Sequence, residues 1–75
     1  MKLAEHLKPG VPAEITTLNG GFVLGGKGDP HRLEQVDDDE QVLYILTTIV
    51  AGRMKGQKAR LMVPYAAITG VTLPV

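Results

Sequence analysis

Cysteine, serine and tryptophan are absent from this 75-residue chain, and its aromatic content is one phenylalanine and two tyrosines. Without cysteine there can be no disulfide and no thiolate zinc site. Without serine or cysteine the commonest nucleophiles are gone, and the threonines sit mostly within strand patterns. His6 and His31 are too few for a histidine-based metal site, and no acid, base and nucleophile converge in the pattern. The residues therefore describe a non-enzyme with no cofactor and no metal. Scarce aromatic side chains also limit the surface on which bases could stack.

Net charge is lacking too, because eight basic and eight acidic residues cancel. That excludes a global attraction to nucleic acid or to an anionic membrane. No apolar stretch approaches the roughly 20 residues that span a bilayer, and the start lacks the apolar segment of a secretory signal. A soluble, cytoplasmic protein is the expectation. A chain this short hides only about 60–65% of its unfolded surface, so oligomerisation is the stabiliser that the composition leaves open.

One domain spanning 1–75 is expected, with a short helix over 1–8 and strands between 13 and 73. Leu3 and Leu7 stand at i, i+4, and Pro9-Gly10 ends that segment. Residues 13–18 are rich in β-branched side chains, Asn19-Gly20 signals a hairpin, and Phe22-Val23-Leu24 is the return strand. The run Gly25-Gly-Lys-Gly-Asp-Pro30 is a loop by composition. A short strand over 31–36 enters the acidic run Asp37-Asp-Asp-Glu40, which reads as a turn. Residues 41–50 form the longest apolar segment, and their β-branched content favours strand over helix. Neither face of that strand carries a charge, so both faces need a cover: the interior on one side, a neighbouring subunit or the N-terminal helix on the other. After the turn at 51–57, two strands at 58–63 and 68–73 flank Pro64-Tyr65, because proline lacks a backbone donor and suits neither a helix nor a central strand.

Two patterns are weaker than they look. Gly21-Phe-Val-Leu-Gly-Gly26-Lys27-Gly28 nearly matches the phosphate-binding loop G-x-x-x-x-G-K-[ST], yet glycine replaces the hydroxyl residue and no helix follows. Asp29, His31 and the acids at 37–40 could offer ligands to a divalent ion, but no EF-hand pattern is present, and such a run is ordinarily a solvated turn or a guard on a sheet edge.

The basic cluster Arg53, Lys55, Lys58 and Arg60 holds half of the chain's cations. Each pair is two residues apart and shares a face if the backbone is extended, while Gly52 and Gly56 would allow close approach to a phosphate backbone. Four cations on one hairpin suit several salt-dependent phosphate contacts, although an exposed hairpin tip is charged for solubility alone as well.

The order of elements resembles the Sm-like fold, which includes the bacterial Hfq-type RNA chaperones. Leu18-Asn19-Gly20 followed by Gly25 is similar to that family's first turn and the glycine of its second strand. Val63-Pro64-Tyr65 and Ala67-Ile68-Thr69-Gly70-Val71 are similar to its last turn and last strand. The resemblance implies an all-β, small, strongly bent five-stranded SH3-like or Sm-like barrel that assembles as a homo-oligomeric ring, with 58–63 pairing to a neighbour's 68–73. The Asp-and-Asn uridine signature is not evident at 25–40. The family's Arg-Gly pair would fall at Pro64-Tyr65 and its Lys-His pair at Tyr65-Ala66, and neither is there. Fold and assembly are thus implied more strongly than the RNA site. The expectation is single-stranded RNA binding through Arg53, Lys55, Lys58 and Arg60, with Tyr65 and Phe22 as stacking surfaces. The alternatives are an adaptor barrel that binds protein partners and a monomeric SH3-like domain.

Overall fold

Alternating burial along short β-branched segments organises the described residues into six antiparallel strands. A computed structural model describes residues 2–25 and 30–74. The strands are β1 (Ala13–Thr17), β2 (Gly20–Leu24), β3 (Arg32–Asp37), β4 (Val42–Thr48), β5 (Lys58–Pro64) and β6 (Ile68–Thr72), with a single 3₁₀ turn at Tyr65–Ala67. They form two three-stranded sheets, ordered β2-β1-β6 and β3-β4-β5. The described residues are all-β, as the Sm-like resemblance implies, but no closed five-stranded barrel forms among them. Gly25, with φ +72°, ends β2, and β3 does not begin until Arg32. The Gly25 amide donates to the His31 carbonyl at 3.2 Å.

The first hairpin turns one residue earlier than Asn19-Gly20 suggests. Thr17 pairs with Gly20, so Leu18 and Asn19 make the turn, and Gly20 opens β2 at φ +126°. That backbone setting suits glycine and penalises any residue with a Cβ.

Alternation in β4 places Leu43 and Ile45 fully inside. They share one core with Ala13, Ile15 and Leu24 of the first sheet, Leu33 and Val63 of the second, and Leu3, Leu7 and Tyr65. The other face of β4 is only partly covered: Val42 and Tyr44 are half-buried and Leu46 is exposed. β5 lies at the outer edge of its sheet, which is why it can extend to Pro64 without losing a ladder donor.

The expected N-terminal helix over 1–8 is a single turn. The amides of His6 and Leu7 both donate to the Leu3 carbonyl, at 3.0 and 2.8 Å, and the turn goes no further. One turn cannot nucleate a lasting helix by itself. Its support comes from elsewhere: the Asp38 carboxylate accepts the Leu3 amide at 2.8 Å and the Ala4 amide at 3.3 Å. The leucines then dock as their spacing requires, with Leu7 only 1% exposed.

Candidate functional site

The β4–β5 hairpin exposes all four cations of the basic cluster. Its tip is a defined turn, in which the Gly56 amide donates to the Ile49 carbonyl at 2.7 Å and the Gln57 amide to Met54 at 3.0 Å. Gly52 and Gly56 adopt φ +82° and +87° there, with open space beside them. Arg53 and Lys55 are exposed on this turn. They occupy a turn and not an extended segment, so two-residue spacing does not align them as it does Lys58 and Arg60 on β5.

Arg60 differs from the other three. Its Nε and Nη2 donate to the two carboxylate oxygens of Glu34, at 2.6 and 3.0 Å. A register shift in the β3–β4 ladder makes this pair possible. Leu33 faces Ile45 and Gln35 faces Tyr44, so Glu34 is the extra residue of a bulge, aimed across β4 toward Arg60. Bulges commonly re-aim a side chain in this way. The Arg60 charge is matched within the sheet.

Ladder register also brings in a cation that strand spacing along the chain does not reveal. Arg32 of β3 and Arg60 of β5 both lie opposite Leu46 of β4. Directly opposed residues of an antiparallel ladder project to the same face. Lys58 lies opposite Thr48 on that same face. Around these residues runs an open groove of about 260 Å³, lined by Pro30, Arg32, Leu46, Thr47, Thr48 and Lys58. The Arg32 guanidinium donates through Nη1 to the His31 carbonyl at 2.9 Å. His31 Nδ1 and Thr47 Oγ1 are 2.7 Å apart, and the His31 ring meets Phe22 edge-on with centroids 5.4 Å apart. Phe22 thus connects to the groove through His31 and Thr47.

Tyr65 requires a correction. The side chain expected to offer a stacking face is 5% exposed, and its hydroxyl donates to Asp38 Oδ1 at 2.7 Å. Its amide also donates to the Gln41 carbonyl at 2.9 Å. A ring enclosed on both faces by the core cannot stack on a base. Burial, reinforced by the Asp38 hydrogen bond, raises the Tyr65 phenol well beyond its ordinary range. The same hydrogen bond is the main cause holding the Asp38 carboxylate below its ordinary value, with the Leu3 and Ala4 amides adding to it.

The acidic run is thus partly structural. Asp37 Oδ1 accepts the amides of Asp39 and Glu40 at 3.1 and 3.0 Å, closing the turn, while Asp38 ties the N-terminal turn to Tyr65. Among the described residues no group of three or more His, Asp or Glu side chains is placed to hold a metal ion. Asp29 and the Gly26-Lys27-Gly28 part of the near-match to a phosphate-binding loop lie outside the described residues. No described helix is long and apolar enough to cross a membrane. No protein-family model matches the chain, and neither a curated protein nor a solved structure matches it.

Proposed function

We propose that this chain is a non-enzymatic cytoplasmic module of the Sm-like type, which binds single-stranded RNA as a homo-oligomeric ring. The observation that carries the binding reading is the exposure of Arg53, Lys55 and Lys58 on one hairpin. Such a projection meets the phosphate backbone of a flexible strand, and repetition around a ring adds weak contacts into useful affinity. Assembly is supported by the sheet order. β5 and β6 are outer strands of their sheets, and pairing between one subunit's β5 and the next subunit's β6 would close both edges.

Anisotropy titration of labelled oligo-U and oligo-A tests the binding reading. Affinity should be measurable at about 50 mM salt and fall steeply by about 200 mM, as released counterions demand. Absence of binding to either strand at the lower salt overturns it. Multi-angle light scattering tests assembly separately, and a monomer at all concentrations overturns the ring.

A protein-binding adaptor is the second reading, favoured by the apolar side chains on and beside the β5 edge. Leu46, Leu61 and Met62 are 42%, 39% and 60% exposed. Arg53→Glu with Lys55→Glu separates the two readings. Lost RNA binding with intact assembly favours the first, and lost assembly with no effect on nucleic acid favours the adaptor.

A further inference from the structure

We propose that Met54, at the tip of the β4–β5 hairpin, is the surface on which one base of the bound strand rests, an inference that depends on the nucleic-acid reading and adds a base contact to its phosphate contacts. The tip is built to hold this side chain outward. The Lys55 amide donates to the Gly52 carbonyl at 3.3 Å, which makes Arg53 and Met54 the two central residues of a closed turn. The Gln57 amide donates to the Met54 carbonyl at 3.0 Å, so a second turn follows at once and holds the same residue from its other side. Side chains at such central positions point away from the turn, and Met54 is 54% exposed.

Its neighbours select the partner. Arg53 and Lys55 flank it in sequence, both are exposed, and neither forms an ion pair among the described residues. The tip carries no acidic residue, and none follows Glu40 in the sequence, so no local charge repels a polyanion. Val50, 70% exposed, adds a second apolar side chain to the same tip. Phosphate contacts alone would account for the cations but not for an apolar side chain between them. A base resting there would take apolar surface of both partners out of water, and a polarisable thioether makes favourable contact with an aromatic ring.

Neither ring expected to stack is on this hairpin. Tyr65 is buried, and Phe22 lies on β2, packed against the core. Every base has a π-face, so contact with the thioether tolerates any sequence. Oligo-U and oligo-A should therefore both use it. Met62 supplies an internal control: it is exposed on β5, but its sequence neighbours are Leu61 and Val63 instead of cations.

The test is methyl NMR on the full chain carrying ¹³C at its methionine methyl groups, titrated with oligo-A and with an abasic strand of equal length. The Met54 signal is assigned by its loss in Met54→Ala. An upfield ring-current shift at Met54, absent with the abasic strand and absent at Met62, supports the base contact. In anisotropy titrations Met54→Ala should bind oligo-A about two- to tenfold more weakly, the range of sulfur–ring contacts. Its salt slope should match that of the unsubstituted chain, because methionine neutralises no phosphate. Met54 is exposed, so the fold should persist. Equal Met54 shifts with the two strands, or an unchanged affinity in Met54→Ala, overturn the base contact while leaving phosphate binding intact. Failure of the unsubstituted chain to bind either strand overturns the nucleic-acid reading, and the base contact with it. Vesicles of phosphatidylserine and phosphatidylcholine are the last probe. Broadening at Met54 with vesicles and no shift with oligo-A would assign the tip to an anionic lipid surface and overturn the base contact.

Discussion

The Tyr65 hydroxyl donates to the same Asp38 oxygen that accepts the Leu3 amide, at 2.7 and 2.8 Å respectively. One carboxylate therefore joins three distant parts of the chain: the N-terminal turn, the acidic turn after β3, and the 3₁₀ turn between β5 and β6. Tyr65 brings its ring into the core while its polar end finds a partner, the usual condition for burying a tyrosine. Tyr65→Phe keeps the ring and removes the donor, and should cost about 1–2 kcal/mol. Tyr65→Ala also empties the core position and should cost about 3–5 kcal/mol. Urea midpoints of the two variants check both the order and the gap.

The same contact sets a pH dependence with two limbs. Asp38 is held below the ordinary aspartate value of 3.8, so its stabilisation is complete above that value and is lost as pH falls through the depressed folded one. Tyr65 is shifted upward. Its contribution is complete below the ordinary phenol range and is lost as pH rises through the raised folded value. The urea midpoint should therefore fall at both extremes. Asp38→Asn should flatten the acid limb specifically, and an unchanged acid limb in that variant would assign it to other carboxylates.

Leu7 tests whether the N-terminal turn belongs to the core or merely lies on it. Its side chain is 1% exposed among the buried residues of both sheets. Leu7→Ala should destabilise the whole chain by about 2–5 kcal/mol. The loss should appear as one cooperative transition at a lower midpoint. A small early phase preceding an unshifted main transition would show that the turn docks independently.

Two glycines on neighbouring ladders separate backbone crowding from side-chain crowding. A Cβ at Gly21 would sit 2.6 Å from the Ile15 carbonyl oxygen, which belongs to the backbone of a central strand. At Gly70 the nearest atom is the Thr16 hydroxyl oxygen, at 2.8 Å, and that side chain can rotate at the cost of its 3.2 Å bond to the Gly70 carbonyl. Gly21→Ala should therefore cost about 1–3 kcal/mol, and Gly70→Ala clearly less. Thermal melts of the pair would reverse this order if the β1–β2 ladder can slide apart freely.

The local features of the fold were legible because they depend on near neighbours. Pro64 marks the end of an edge strand, the glycine after Asn19 marks the hairpin, and the uncharged stretch 41–50 marks the strand with the deepest side chains. Leu3 and Leu7 disclose a docked face, but their spacing is equally that of one turn or several. The length was decided by Pro9-Gly10 and by Asp38, 35 residues from Leu3. Tyr65 was misread as a stacking surface because its partner is a distant carboxylate inside an acidic run that looks solvated. Arg32 was missed for a related reason. It is an isolated cation in sequence, and only the β3–β4–β5 register places it opposite Leu46 on the face that carries Lys58.

Arg60 gives the sharpest division between charge that is present and charge that is available. Four cations along 53–60 look equivalent in sequence, yet Glu34 already occupies the Arg60 fork. An incoming phosphate would have to displace a bidentate carboxylate there, whereas at Lys55 it displaces only water and mobile ions. For single strands, each neutralised phosphate adds about −0.7 to the slope of log affinity against log salt. Lys55→Gln should therefore weaken oligonucleotide binding and make that slope shallower by about 0.7. Arg60→Gln should leave the slope nearly unchanged. It also leaves Glu34 without its partner, so any loss of affinity in that variant should be recovered by Arg60→Gln combined with Glu34→Gln. Anisotropy titrations of the three variants across a salt series measure each slope. A drop of similar size for Lys55→Gln and Arg60→Gln would show that the ion pair opens for the ligand and that all four cations act together.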